Sequence, residues 1–281
     1  TREILRVADI SRLSLMEISN PYDDRYQSIF IAGERLGLSS SEFGLITKPS
    51  VEANGNAITK FWQIWDVSQT SQTMRDTFID QDVVATAFGN DGLLTRVSII
   101  MQQARLHFAD LEALLESDFI NPGGVKIQPD NVCQPSDMRL SVVHENELAP
   151  LLDRLHRFVR LWRAIGWGIR DLDLAIQANG IGAGRIDEIT LVQIANLELL
   201  KNKLHLPIEM LVAMIGGFTD KRYNQLVIGK PQELVSLYER LFQSRQLLDP
   251  PASEFVFSAA WLVSELTDER KKIIAAAVGV R

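Results

Sequence analysis

From Leu148 to Ile165, apolar residues fall at Leu148, Leu151, Leu152, Leu155, Phe158, Val159, Trp162 and Ile165. This spacing of three and four places all eight on one stripe of a helix, and so long a stripe must be covered along its whole length. Pro150 fits a first turn and Gly166 is a natural stop, which sets the predicted helix at 149–165 and makes it the element around which the rest packs. Similar periods predict helices near 28–36, 73–87, 93–105, 189–203, 231–243 and 267–277. Alternation of the strand kind is confined to 125–143, where Val125, Ile127, Val132, Leu140 and Val142 lie among Pro122, Pro129 and Pro135. The expected fold is all-α: an irregular helical array with one long Pro/Gly-rich loop at 121–144, which has room for a short hairpin. That loop joins two sub-blocks, 1–120 and 145–281.

One phrase recurs along the chain. Leu38-Ser-Ser-Ser-Glu42-Phe43 aligns with Leu106-His-Phe-Ala-Asp110-Leu111 and Trp167-Gly-Ile-Arg-Asp171-Leu172, and Leu206-Pro-Ile-Glu209 gives a version with the acid one position early. Each reads as an apolar staple ahead of a helix start, with a carboxylate facing the positive end of the helix dipole. The spacing between copies is too uneven for a regular solenoid. Ala277-Val-Gly-Val280 looks like a fifth anchor whose helix is missing, and the chain opens Thr-Arg-Glu-Ile without a basic-then-apolar leader. Both suggest a piece of something longer.

Charge narrows the function classes. Lys and Arg number 29 against 36 Asp and Glu, a net −7 that argues against a nucleic-acid binder. No apolar run approaches the roughly 20 residues that cross a bilayer; the longest, from Ile208 to Phe218, is broken by Glu209 and Gly216. The single Cys133 excludes an internal disulfide and a Cys-ligated zinc module.

Candidate chemistry is sparse. His107, His144, His156 and His205 form no His-Glu-x-x-His pair. His107 and His205 adjoin staple leucines, so helix starts are expected there, and His156 lies beside the stripe as a hydrogen-bonded, partly buried ring. Gly180, Gly182 and Gly184 lack the preceding strand and the third glycine of a dinucleotide site, because Arg185 stands where that glycine belongs. They read as the end of a helix over 169–178. Arg154, Arg157, Arg160 and Arg163 recur every three residues and fan over a wide face; carboxylates on adjacent helices or subunits are their expected partners. No catalytic residue, metal ligand or cofactor site is predicted.

The run Leu155-His156-Arg157-Phe158-Val159-Arg160-Leu161-Trp162-Arg163-Ala164-Ile165-Gly166-Trp167, followed by Asp171-Leu172-Asp173, resembles the signature of the large A component of bacterial insecticidal toxin complexes, the Tc toxins, and of the related Salmonella plasmid virulence protein A region. Asn20–Tyr26, Phe61–Trp65, Asp118–Pro122, Asp137–Leu140, Leu191–Leu206 and Ser236–Pro250 lie where that family carries similar phrases. The resemblance implies a fragment of the α-helical shell around a central channel. It further implies a secreted or bacterial cell-surface parent that assembles as a homopentamer, binds a host cell-surface receptor, inserts as a pore and delivers an enzyme carried by B and C components. Catalysis in such toxins belongs to another subunit, so the signature residues are implied to be structural. Two other readings are a component of a contractile injection apparatus that reuses the same shell, and a helical ligand-binding or enzymatic module.

Overall fold

The computed structural model describes residues 11–19, 25–129, 138–217, 223–227 and 230–242. Asn20 to Asp24, Cys133, the predicted helix at 267–277, the anchor at 277–280 and 243–250 of the downstream match lie outside them. Within them the protein is mainly helical. In chain order the elements are α1 (Arg12–Ile18), α2 (Arg25–Arg35), α3 (Ser40–Thr47), α4 (Thr59–Ile64), β1 (Gln72–Asp76), β2 (Gln81–Ala85), α5 (Val97–Ala104), α6 (Phe108–Leu115), β3 (Ile127–Pro129), β4 (Met138–Leu140), α7 (Glu145–Ile165), α8 (Ile169–Gln177), α9 (Glu188–Leu204), α10 (Ile208–Gly216), β5 (Tyr223–Val227), β6 (Lys230–Leu234) and α11 (Leu237–Phe242).

The long helix is central. Leu148, Leu151, Leu152, Leu155, Phe158 and Val159 are buried, while Trp162 and Ile165 are half-buried against the same core. α7 begins at Glu145, earlier than Pro150 suggested, so the proline lies inside the helix. The carbonyl that Pro150 cannot serve is that of Asn146. Gly55 lies against that carbonyl so closely that a Cβ there would come within 2.5 Å of it. α3 packs on α7, α2 on α9, and α10 on α8. One apolar cluster runs from Ala32 to Val212, drawing on both sides of the 121–144 loop.

The strands qualify the all-α expectation. β3 and β4 form the short antiparallel hairpin for which the loop had room, with Ile127 opposite Leu140. The predicted helix at 73–87 is instead the antiparallel hairpin β1–β2, with Thr73 opposite Val84 and Met74 opposite Val83. Its inward positions are Met74 and Asp76, so a carboxylate occupies a place where alternation would show an apolar residue. Asp76 is fully buried and accepts from Ser98 Oγ at 2.6 Å and the Phe78 amide at 2.9 Å. Phe78, Ile79, Val83, Val84 and Ala87 meanwhile happen to fall at helical spacing. The predicted helix at 231–243 likewise divides into β6 and α11; β6 pairs with β5, placing Tyr223 opposite Leu234.

The recurring phrase opens four helices. Leu38, Leu106, Trp167 and Leu206 precede α3, α6, α8 and α10. The first is a complete capping box: Ser39 accepts from the Glu42 amide and Glu42 accepts from the Ser39 amide. At the second, the His107 amide donates to Asp110 at 3.4 Å. His205 departs from expectation, because it closes α9 at a left-handed φ of 55°. The glycine cluster ends α8 as predicted. A Cβ on Gly182 would come within 2.3 Å of the Ile176 carbonyl, so only glycine lets the chain turn back that tightly.

Candidate functional site

Polar side chains of α7 converge on a buried junction with the end of α3 and the segment before α9. Asp153 accepts from the Ser50 amide at 2.7 Å and from Ser50 Oγ at 2.6 Å, both on one carboxylate oxygen. His156 Nε2 lies 3.4 Å from the same oxygen and 3.5 Å from Ser50 Oγ. Arg157 lies 3.3 Å from the second oxygen, donates from Nε to the Ile46 carbonyl at 2.6 Å, and donates from Nη2 to the Ile186 carbonyl. One guanidinium therefore ties three segments together.

Ser50, His156 and Asp153 are the residue types of a nucleophilic triad, but their wiring differs. In a triad the histidine takes the hydroxyl proton through one ring nitrogen and the carboxylate holds the other. Here the serine hydroxyl donates directly to the carboxylate, and the ring presents Nε2 to that carboxylate while Nδ1 is buried without a partner. Ser50 is wholly buried, so its oxygen faces no substrate path. Burial alone would raise the Asp153 pKa; hydrogen bonds from His156 and Ser50, with the Arg157 charge, reverse that and hold it down to about 2. Burial also lowers the His156 pKa, opposed by Asp153 and reinforced by Arg160 and Arg157, so the ring is neutral near pH 7. The result is a charge-compensated structural node.

A second node lies at the other end of the signature. Asp173 on α8 is fully buried and accepts from Ser117 Oγ at 2.6 Å, the Phe119 amide at 3.1 Å and the Asp118 amide at 3.2 Å. It thereby fixes the turn that leaves α6. Trp167 is buried and its Nε1 donates to Glu198 on α9 at 2.6 Å. Asp171 has its pKa raised by burial, opposed by Arg170, and Glu209 bridges Arg170 and Arg240.

The remaining signature residues divide by position. Leu155, Phe158, Leu161 and Leu172 belong to the core, with Phe158 stacked on Phe119 at 6.2 Å between ring centroids. Gly166 ends α7 at φ 68°. The arginines correct the expectation of carboxylate partners on neighbouring helices, because most of them donate to main-chain carbonyls. Arg154 serves Ile120 at 2.9 Å, and Arg163 serves Ala104 and Arg105 at 2.7 Å each. Ile46 and Ala104 lie in the last turns of α3 and α5, whose carbonyls have no helical donor ahead of them, and a planar fork of donors meets that need. Arg160 alone of the four makes no side-chain hydrogen bond or ion pair among the described residues.

Comparison with family models, curated proteins and solved structures gave no match. Among the described residues no group of three His, Cys, Asp or Glu side chains could hold a metal ion, and no helix is long and apolar enough to cross a membrane. Sequence reading missed Ser50 and Ser117, and it placed Glu209 at a helix start without its partner Arg170. Their partners lie 103, 56 and 39 residues away for Asp153, Asp173 and Arg170, a separation at which no local pattern carries a signal.

Proposed function

We propose that this chain is a structural and assembly segment of the helical shell of a pore-forming, Tc-toxin-type translocation subunit. The parent polypeptide acts from outside the bacterial cell on a host cell, as a homopentamer that binds a surface receptor and works with B and C components carrying the enzyme. The observation that supports this is the use of the signature itself. Arg157, Trp167 and Asp173 hold other segments in place, and Leu155, Phe158, Leu161 and Leu172 fill the core. A motif used this way gives a rigid wall element, and a rigid wall is what a shell around a channel needs.

The test is made on the whole polypeptide that carries these residues. Light scattering should give five copies per particle, and the particle added to planar lipid bilayers should produce discrete conductance steps. A polypeptide that stays monomeric and leaves bilayers silent across the pH range overturns the reading. The 281-residue chain alone should be a monomer or weak oligomer. It holds only part of the interface, and contacts below about 1,000 Å² rarely sustain a stable complex.

A further inference from the structure

A polar pocket of about 290 Å³ opens between the end of α4, the C-terminus of α5 and the outer half of α7. Ile64, Trp65 and Val159 line it together with His156, and three arginines, Arg105, Arg160 and Arg163, complete the lining with Gln103 and Ala104. Among the described residues no carboxylate lines it, although the whole chain carries a net charge of −7. Concentrating unopposed cations in one concavity of an acidic protein costs repulsion unless something negative sits among them.

The three arginines are not equivalent. Arg163 donates to the Ala104 and Arg105 carbonyls, neutralising the negative end of α5 that would otherwise repel an anion from this side. Among the described residues the side chains of Arg105 and Arg160 make neither a hydrogen bond nor an ion pair, so their guanidinium donors are free. The carboxylate that feels Arg160, Glu42, is already held in the Ser39 capping box. Behind the lining, the Trp65 indole N–H is buried with no partner in a residue only 2% exposed, whereas His156 turns Nε2 to Asp153, so its Nδ1 is an acceptor and offers an anion no donor. A concavity whose cationic side chains have free donors and no carboxylate beside them suits an anionic ligand.

We propose that this pocket binds a small phosphate-class oxyanion, either phosphate itself or the phosphate group of a small monoester, with Arg105 and Arg160 as its principal ligands. The volume lies at the lower end of small-molecule sites, roughly 300–1,000 Å³, which suits one phosphoryl group with a short organic part. Guanidinium forks match phosphate oxygens in pairs. The site stands independently of the shell reading: a pentamer without phosphate affinity, or the reverse, separates the two.

The test uses the full chain and inorganic phosphate, with sodium chloride at matched ionic strength as the control for screening. Phosphate should raise the melting temperature saturably and chloride should not, as mass action on the folded state requires. Arg105→Gln and Arg160→Gln should each weaken phosphate binding about tenfold or more, whereas Arg185→Gln, at an exposed turn, should bind as the parent does. Unchanged melting temperatures in chloride would show that the variants remain folded. In the unmutated protein the Trp65 indole resonance should shift saturably with phosphate, while that of Trp167, hydrogen-bonded to Glu198, stays in place. Equal effects of phosphate and chloride, or undiminished binding in the Arg105→Gln, Arg160→Gln double variant, overturns the proposal.

Discussion

Arg157 and Arg160 stand three residues apart on one helix and do opposite things. Arg157 points into the junction of α7 with α3 and the segment before α9; it is 6% exposed, and each of its three side-chain nitrogens donates to a carbonyl or to Asp153. Arg160 lines the pocket beside α5, half-exposed and without a side-chain hydrogen bond among the described residues. The residue type is the same, so the difference comes from radial position on the helix and from what the neighbouring segments present. Inward, two main-chain carbonyls lack donors and the guanidinium supplies them. Outward, α5 ends with its carbonyls already served by Arg163.

The comparison breaks first at Arg157. Arg157→Ala removes the donors to Ile46 and Ile186 and leaves the Asp153 charge in a nearly dry site with its compensation reduced. Removing one partner of such a buried pair costs about 3–5 kcal/mol, a large share of the roughly 5–15 kcal/mol that holds a typical domain together. Urea denaturation monitored by circular dichroism should show it. A loss below about 1 kcal/mol would mean that the junction is wet and that Arg157 and Arg160 differ less than their burial indicates.

Leu155 tests the apolar side of the same inner face. It is 1% exposed, so Leu155→Ala should cost about 2–5 kcal/mol through lost transfer and the cavity left behind. Trp162, half-buried one turn beyond Phe158, should cost less when truncated because water already reaches part of it. A larger loss at Trp162 than at Leu155 would shift the centre of the core toward the outer end of α7.

The Asp153 node carries a pH signature. Its pKa falls from 3.8 to about 2 on folding, so its stabilisation is fully present above pH 4 and disappears as pH drops through the folded value. The shift corresponds to about 2 kcal/mol. His156 adds loss of the same sign at higher pH. Its folded pKa lies below 6.5, so the unfolded chain takes up the proton first and stability declines as pH falls past that value. Asp171 runs the other way: a raised folded pKa favours the fold below the ordinary aspartate value of 3.8 and weakens it as pH rises. Melting temperatures between pH 8 and pH 2 should therefore fall in two steps, and Asp153→Asn should shrink the lower one, to which Glu42 and Asp187, whose pKa values folding also lowers, contribute the rest. A profile flat from pH 5 to pH 2 in the parent protein would contradict the compensated node.

Helical periodicity made α7, α9 and the core stripe legible, and the staple phrase located four helix starts, because both depend on residues within a turn or two of each other. The β1–β2 hairpin was not legible for the same reason. Asp76 occupies an inward position only because Ser98 meets it from α5, 22 residues on, so the alternation reads as broken until the fold supplies the partner. The candidate sites followed that divide. The signature picked out His156, Arg157 and Asp173 as a group, yet Ser50 and Ser117 become visible only once distant segments meet. The arginine fan was read as a set of salt bridges because side-chain charges are printed in a sequence and the free carbonyls at helix ends are not.

The smallest expected effect lies at Arg160, and it is the most discriminating. With no hydrogen bond to lose, Arg160→Ala should change stability at neutral pH by no more than about 0.5 kcal/mol, in line with exposed positions generally. The charge still acts at a distance. Arg160 lowers the His156 pKa and helps hold the Glu42 pKa down. Its removal should therefore move the His156 titration toward higher pH, which a two-dimensional NMR titration of the imidazole resonances can follow. Burial remains the larger cause, so the ring should still titrate below 6.5. A His156 that titrates unchanged in Arg160→Ala would mean that solvent in the pocket screens the guanidinium completely, and the inner and outer faces of α7 would then be electrically independent despite sharing one helix.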